Sequence, residues 1–332
     1  MSIIEAQGLH KAFDDGTVAV DRVDFEVAEG EVFGFLGRNG AGKTTTVRIL
    51  TTLTRATSGQ ARVLGLDVVK HRSEVRDRIG LSLQQAALDP LMTGREHLQL
   101  IASLRRMRPA RRTERMEELL TGFGLTEVAD RLVATYTVGM RRRLDATLAL
   151  LHGPQLLFLD EPTTGLDPQS RRALWSFVRT YRQSGGTVFL TTQYLDEADE
   201  LCDRIAILDK GAVAVIDTPQ DLKKGIGGKV LTLPATPEAR EPAASVVGET
   251  ACRFTDGVLQ IDLPAGDDVL PSLLKRLHDS GIPLTGVTVT DPTIEEVFIR
   301  LTGEGLERRT QSDGSVAAAA LARTVGTGRG GV

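Results

Sequence analysis

At 332 residues, 41% hydrophobic and 25% charged, the chain has the composition of a soluble globular protein and the length for one large domain plus a smaller one. A net charge of −4 and a pI near 5.8 give no support to polyanion binding, so no nucleic-acid partner is expected. No apolar run approaches the roughly 20 residues of a membrane span, and the opening "MSIIEAQGLHK" lacks the basic start and apolar stretch of a signal peptide, which predicts a cytoplasmic chain.

Up to about residue 220, short β-rich runs alternate with helical patterns: "VDFEV", "VFGFLG", a helix after Gly42, "QLLFLD", a helix from Ser170, "GTVFLTT", a helix around Asp196 to Leu201, and "RIAILD". This alternation predicts an α/β domain over residues 1–224. Between Arg95 and Leu151 the strand signal vanishes into a polar, Arg-rich, helix-forming segment, which predicts a helical subdomain over about 95–151. Gly225, Gly227 and Gly228 then break the pattern, and "KVLTLP", "CRFTDGVLQIDLP" with an Asp256-Gly257 turn, "VLPSLLKRLHDSG" and "GVTVTDPTIEEVFIRL" predict a small β-β-β-α-β-α unit over 225–305. The remainder, 306–332, has little to bury and is expected to be a disordered tail. Cys202 and Cys252 lack CxxC spacing and read as buried small hydrophobes, while the five His residues suggest no metal site.

"GRNGAGKTT", Gly37 to Thr45, follows an apolar strand and opens a helix, the context that a P-loop requires. Gly37, Gly40 and Gly42 let the backbone of Arg38, Asn39, Ala41 and their neighbours wrap phosphates, Lys43 reaches the β/γ oxygens, and Thr44 offers a hydroxyl to Mg²⁺, with Thr45 beside it. "LLFLDEP" supplies an apolar strand that projects Asp160 toward the metal and Glu161 toward an attacking water. Taken alone, adjacent carboxylates at a strand end are commonly just solvated; beside a P-loop they point to ATP hydrolysis. Arg141, Arg142 and Arg143 read as a solvated face, and Leu174, Phe177, Val178 and Tyr181, with Trp175 beside them, as a packing stripe.

From Phe13 to about Asp217 the chain resembles an ABC transporter ATP-binding subunit, with the motifs in family order: Phe13, the P-loop, Gln84 in "SLQQAALD", "YTVGMRRRLD", "LLFLDEP", "TTGLDP" and "TTQYLDEAD". "LMTGREHL", "GMRRRLD", "TTQYLDEAD" and the ending "PTIEEVFIRLTG" are similar to the daunorubicin/doxorubicin-resistance type of drug-export ATPase. The resemblance implies a P-loop ABC ATPase core with a helical subdomain, followed by a small α+β C-terminal domain. It implies ATP and Mg²⁺ as cofactors, a second ATP-binding subunit as homodimer partner, a separate transmembrane permease, and a place on the cytoplasmic face of the membrane.

It further implies that Phe13 stacks on adenine, that Gln84 senses the metal and the membrane partner, that Asp167 lies at the dimer interface, and that Gln193, where most members carry His, contacts the γ-phosphate. Phe13 can also be read as plain core and Gln84 as a solvated loop amide. In the signature loop, Thr137 and Gly139 keep the family's hydroxyl and second glycine, whereas Val138 replaces a glycine. A branched residue adds bulk and takes a positive φ poorly, so strain is expected at Val138. Two alternatives stay open: an ATP-binding regulatory protein with weak turnover, favoured by Val138, and a soluble ABC ATPase without a membrane partner, a class that usually carries two cassettes or a long coiled-coil insertion.

Overall fold

The computed structural model describes residues 1–84, 87–225, 229–247, 252–255, 257–263 and 269–303. Asp256, Gly227, Gly228 and the tail 306–332 therefore lie outside the described residues. The chain opens with a hairpin of β1 (Ser2–Ala12) and β2 (Val18–Ala28), then enters β3 (Val32–Gly37), in which all six residues are buried. After the P-loop motif comes α1 (Lys43–Leu50), and then β4 (Ser58–Val63) and β5 (Leu66–Asp67) complete an antiparallel sheet of order β2-β1-β4-β5. Of this sheet the sequence patterns mark only Val23–Val27. The alternation in β1 is broken by register shifts, one of them between Ala6 and Leu9, around the positive φ of Gly8.

Next come α2 (Arg72–Arg78) and β6 (Ile79–Ser82), followed by three helices, α3 (Gly94–Leu104), α4 (Pro109–Gly122) and α5 (Val138–Leu150). These fill the segment where the strand signal disappears. The α/β alternation resumes with β7 (Leu156–Asp160), α6 (Pro168–Gln183), β8 (Thr187–Thr192), α7 (Leu195–Leu201), β9 (Arg204–Asp209) and β10 (Ala212–Asp217). The second sheet has the order β10-β9-β3-β8-β7-β6 and is parallel except for β10. Buried on both faces, its central strands can be almost wholly apolar. Residues of alternate parity go to opposite faces. Phe33, Phe35 and Phe189 meet Phe25 of β2 on one face, with Phe158 against Phe189 and Phe35 centred 4.9 Å from both Phe25 and Phe189, while Val32, Leu36, Leu157, Leu159, Val188 and Leu190 face the helices on the other.

α8 (Pro219–Gly225) leads to the smaller unit: β11 (Val230–Pro234), α9 (Arg240–Val247), β12 (Cys252–Thr255), β13 (Val258–Asp262), α10 (Val269–Asp279), β14 (Thr288–Thr290) and α11 (Ile294–Thr302). Its antiparallel sheet has the order β12-β13-β11-β14, over a core that includes Leu231, Leu233, Leu259, Ile261 and Leu277. The sequence pattern lacks α9. Pro237 and Pro242 argue against a helix there, yet Pro242 falls in its first turn, where a missing N–H leaves no bond unmade.

α11 does not join the core of its own unit. Capped by a Thr293–Glu296 box, it directs Ile294, Val297 and Phe298 into the core of the larger domain and packs against α7 and α8. Phe298 is fully buried there. Phe298→Ala is therefore expected to cost about 3–5 kcal/mol of unfolding free energy; a denaturant melt that moves by less than about 1 kcal/mol would show that α11 is not anchored this way.

Candidate active site

The strands β3, β6, β7 and β8 run parallel, so their carboxyl ends open on one edge of the sheet, and each is followed by a motif residue. This is the edge at which open α/β sheets build ligand sites. After β3 the P-loop turns through Gly40 and Gly42, at φ 84° and 97°. A Cβ on Gly42 would come within 2.2 Å of the Ala19 carbonyl oxygen, so the backbone can pass β2 only as glycine. Gly42 is also the N-cap of α1 and offers no side-chain acceptor, which leaves the first amides of the helix available to an anion.

Lys43, the first residue of α1, is buried. Its Nζ donates to the carbonyls of Gly37 at 2.8 Å and Arg38 at 3.1 Å and pairs with Glu161 Oε1 at 3.0 Å. The other Glu161 oxygen accepts from Gln84 Nε2 at 3.2 Å and from the Thr164 hydroxyl at 3.4 Å. Glu161 stands in the left-handed region, φ 48°, which is costly for a side-chain-bearing residue. Thr191 at the end of β8 holds it: the Glu161 N–H donates to both the carbonyl and the hydroxyl of Thr191 at 3.0 Å. That hydroxyl in turn donates to Asp160 Oδ1 at 2.5 Å, to which Thr44 also donates at 3.1 Å.

Burial raises the pKa of Asp160, partly offset by its hydrogen bonds from Thr191 and Thr44. Its second oxygen, Oδ2, is buried without a hydrogen-bond partner. An unmatched carboxylate oxygen beside the Thr44 hydroxyl, with the Gln84 amide nearby, is the hard-oxygen donor set that suits Mg²⁺. The residues present thus fit the ion.

Gln193 directly follows β8 and is partly exposed. Phe13 lies in the β1–β2 turn, 44% exposed with Lys11 Nζ 5.1 Å from its ring centre, so the core reading is set aside. Thr137, Val138, Gly139 and Asp167 form a second group. Thr137 caps α5 by accepting from the Met140 N–H at 3.2 Å, and Asp167 caps α6 by accepting from the Ser170 N–H at 2.9 Å. A Cβ on Gly139 would lie 2.5 Å from Ser170 Oγ, so this glycine is what lets the two helix starts meet.

Val138 corrects the expectation of strain. It is the first residue of α5, with ordinary helical backbone, and is not among the positive-φ residues. Its side chain is 55% exposed and lies over Gly165. Of the three arginines read as a solvated face, only Arg141 is exposed, and it too donates to a carbonyl, that of Ala134 at 3.3 Å. Arg142 donates to the carbonyls of Leu83 and Gln84, and Arg143 to that of Phe123 at 2.9 Å.

The residues 20–164 match the family described as ABC transporter, and residues 218–302 match the C-terminal domain of ATP-binding proteins like DrrA1-3. The daunorubicin resistance ATP-binding protein DrrA2 of Streptomyces coeruleorubidus is 42% identical over 313 residues, which are 92% of this chain and 96% of the relative. The chain belongs to the DrrA-type ABC ATPases. The daunorubicin/doxorubicin resistance protein DrrA of Streptomyces peucetius is 43% identical over 93% of this chain and 95% of its own length, and the linearmycin resistance protein LnrL of Bacillus subtilis is 34% identical over 92% and 99%. Among solved structures, the ATP-binding subunit of an ABC transporter superposes with a TM-score of 0.62 at 27% identity, covering 67% of this chain and 92% of that one. The dimeric ATP-binding cassette MJ0796 bound to ADP and Pi shares the fold, with a TM-score of 0.60 at 24% identity over 65% of this chain and 98% of that one. Among the described residues of this DrrA-type ATPase, no helix is long and apolar enough to cross a membrane.

Sequence patterns do not single out Thr191, Arg142, Asp145 or Glu197. Glu197 of α7 is fully buried, accepts from Trp175 Nε1 at 3.1 Å, and sits near Thr192 and Thr163, close in sequence to Gln193 and Glu161. Burial pushes its pKa up to about 7 from an ordinary 4.5, against the opposing pull of these neighbours. A folded-state pKa above the unfolded one gives stability that is complete below pH 4.5 and lost as pH rises through about 7. Glu197→Gln has no such loss. Its stability relative to the parent is therefore expected to improve between pH 5 and pH 8, by something on the order of 3 kcal/mol; a gap that stays constant in denaturant melts at the two pH values would rule this out.

Val138→Gly, with no strain to relieve, is expected to lower unfolding free energy by a few tenths to about 1 kcal/mol through lost helix propensity. A rise in the same melts would restore the strained reading.

Proposed function

We propose that this DrrA-type ATPase is the energising subunit of a drug or antibiotic exporter, working as a homodimer on a separate transmembrane permease at the cytoplasmic face of the membrane. One observation carries the hydrolytic part: Lys43, Thr44, Gln84, Asp160 and Glu161 are joined by direct contacts at the carboxyl edge of the parallel strands. The names of the three relatives given above, each a resistance protein, support the export role.

In this reading the amides of Arg38, Asn39, Gly40, Ala41, Gly42, Lys43, Thr44 and Thr45 cradle the ATP phosphates, and Phe13 stacks on the adenine. Mg²⁺, when bound by Thr44 and Asp160 with Gln84 close by, supplies neutralising charge on the phosphate oxygens. Lys43 exchanges Glu161 for a γ-phosphate oxygen, which frees the Glu161 carboxylate to orient the attacking water. Gln193 holds water and γ-phosphate with an amide that does not titrate.

Thr137, Val138 and Gly139 face the nucleotide of the partner subunit, with Asp167 at the interface, so that two incomplete sites are completed by pairing. Helical backbone at Val138 removes the strain that favoured the regulatory alternative, which then rests on the exposed bulk of that side chain at the pairing face.

Glu161→Gln should keep ATP binding while turnover falls by about 10²-fold or more, and it should accumulate as an ATP-bound dimer in size-exclusion chromatography. Lys43→Ala should instead weaken binding of a fluorescent ATP analogue. Parent-level turnover in Glu161→Gln would overturn the assignment.

A further inference from the structure

Arg142 and Asp145 lie three positions apart on α5, hence on one face of the helix, and both reach the end of β6. The Arg142 guanidinium donates to the Leu83 carbonyl at 2.8 Å and to the Gln84 carbonyl, and Asp145 Oδ2 accepts from Ser82 Oγ at 2.5 Å. Three consecutive residues, Ser82 to Gln84, are thereby tied to one helix. The Gln84 side chain then donates to Glu161. At the start of the same helix, Thr137 is the cap and Gly139 packs on Ser170.

The contacts run without a break from the signature residues, through one helix, to the carboxylate proposed to orient water. From residue 137 to residue 142 the helix rises only about 7.5 Å, a span too short and too fully hydrogen-bonded to absorb a displacement by bending. Arg142 and Asp145 are only partly buried, Ser82 is buried and Gln84 is exposed, so the clamp sits at the rim of the site, where an apolar pair would leave the Leu83 and Gln84 carbonyls without these donors. Burial raises the Asp145 carboxyl to about 6 and lowers the pKa of Arg142.

We propose that Arg142 and Asp145 are positioning residues that lock Gln84 to the helix carrying Thr137–Gly139, so that a shift of that helix is passed to Glu161. The inference rests on the proposed function, in which Gln84 and Glu161 serve the nucleotide bound to this chain while Thr137–Gly139 serve the partner's. The clamp then makes each chain the mechanical link between the two ATP sites of the pair. Arginine is needed because its planar fork meets two carbonyls at once, which a lysine ammonium cannot do in the same geometry.

ATP turnover of the full chain, followed against ATP concentration, tests this with Arg142→Ala, Arg142→Lys, Gln84→Ala and the Arg142→Ala/Gln84→Ala double variant. The expected result is a kcat about tenfold lower in Arg142→Ala with KM within about twofold, little rescue by lysine, reduced cooperativity in ATP, and a double variant no slower than the worse single one. Losses that multiply in the double variant, a full rescue by lysine, or a raised KM at unchanged kcat would overturn the clamp. Ser82→Ala removes one tie from the strand side with no change of charge, and should show the same kcat-only loss at a few-fold even if Arg142→Ala does not fold. The Glu161→Gln measurement judges the functional reading separately. Parent-level turnover there would fail that reading, while the coupling between positions 142 and 84 would still be read from the chain's own turnover.

Discussion

Lys43 and Glu161 make an ion pair with side chains only 3% and 5% exposed, and the rest of the site is arranged around the need to keep both charges satisfied. Removing one partner of a buried pair leaves the other uncompensated, at a cost of about 3–5 kcal/mol. Lys43 therefore also spends its protons on two P-loop carbonyls, and Glu161 shares its oxygens with Gln84 and Thr164. The two charges follow strands that are not neighbours, Lys43 after β3 and its P-loop and Glu161 directly after β7, with β8 between them. Thr191, on that middle strand, bridges the gap by holding the Glu161 backbone and the Asp160 carboxylate at once. In the proposed reaction a phosphate oxygen can replace Glu161 at Lys43 without leaving either charge bare, because Gln84 and Thr164 already hold the carboxylate.

The two faces of the parallel sheet divide the labour. One face is closed by an aromatic cluster shared with the antiparallel sheet, which fixes β3, β7 and β8 and so the edge that bears the chemistry. The other face receives the helices α3 to α7 and, at the far end of the chain, α11. A strand edge moves little when its side chains interdigitate at interior density. Helices packed on the opposite face can carry contacts toward a second subunit while the catalytic edge stays in register.

The parallel sheet and its ligand edge were readable from the sequence because buried strands leave unbroken apolar runs, as in "VFGFLG" and "LLFLDEP", and because the phosphate loop demands glycines at fixed spacing. The helical segment was equally visible as a loss of strand signal. The β1–β2–β4–β5 sheet was not, since bulges break its alternation, and α9 was hidden by prolines that suit a first turn. Among site residues, Lys43, Asp160 and Glu161 announce themselves by motif. Thr191, Arg142, Asp145 and Glu197 do not, because their importance lies in which distant group each one meets, Ser82 for Asp145 and Trp175 for Glu197. The docking of α11 is hidden for the same reason: an amphipathic pattern states that a face is buried, not against what.

The signature loop shows how one valine can be tolerated where a neighbouring residue could not change. Positions 138 and 139 are adjacent in sequence but face different surroundings. At 139 the space for a Cβ is already taken by Ser170 Oγ, 2.5 Å away, and Ser170 is held by both carboxylate oxygens of Asp167. A side chain there would push apart the starts of α5 and α6 and misplace Thr137 with them. At 138 the side chain leaves the first turn of α5 toward solvent, its backbone is helical, and Gly165 lies beneath it. The backbone donors of the loop are therefore set by Gly139 and by the Thr137 cap, and Val138 alters the shape of the exposed surface without altering the path of the chain.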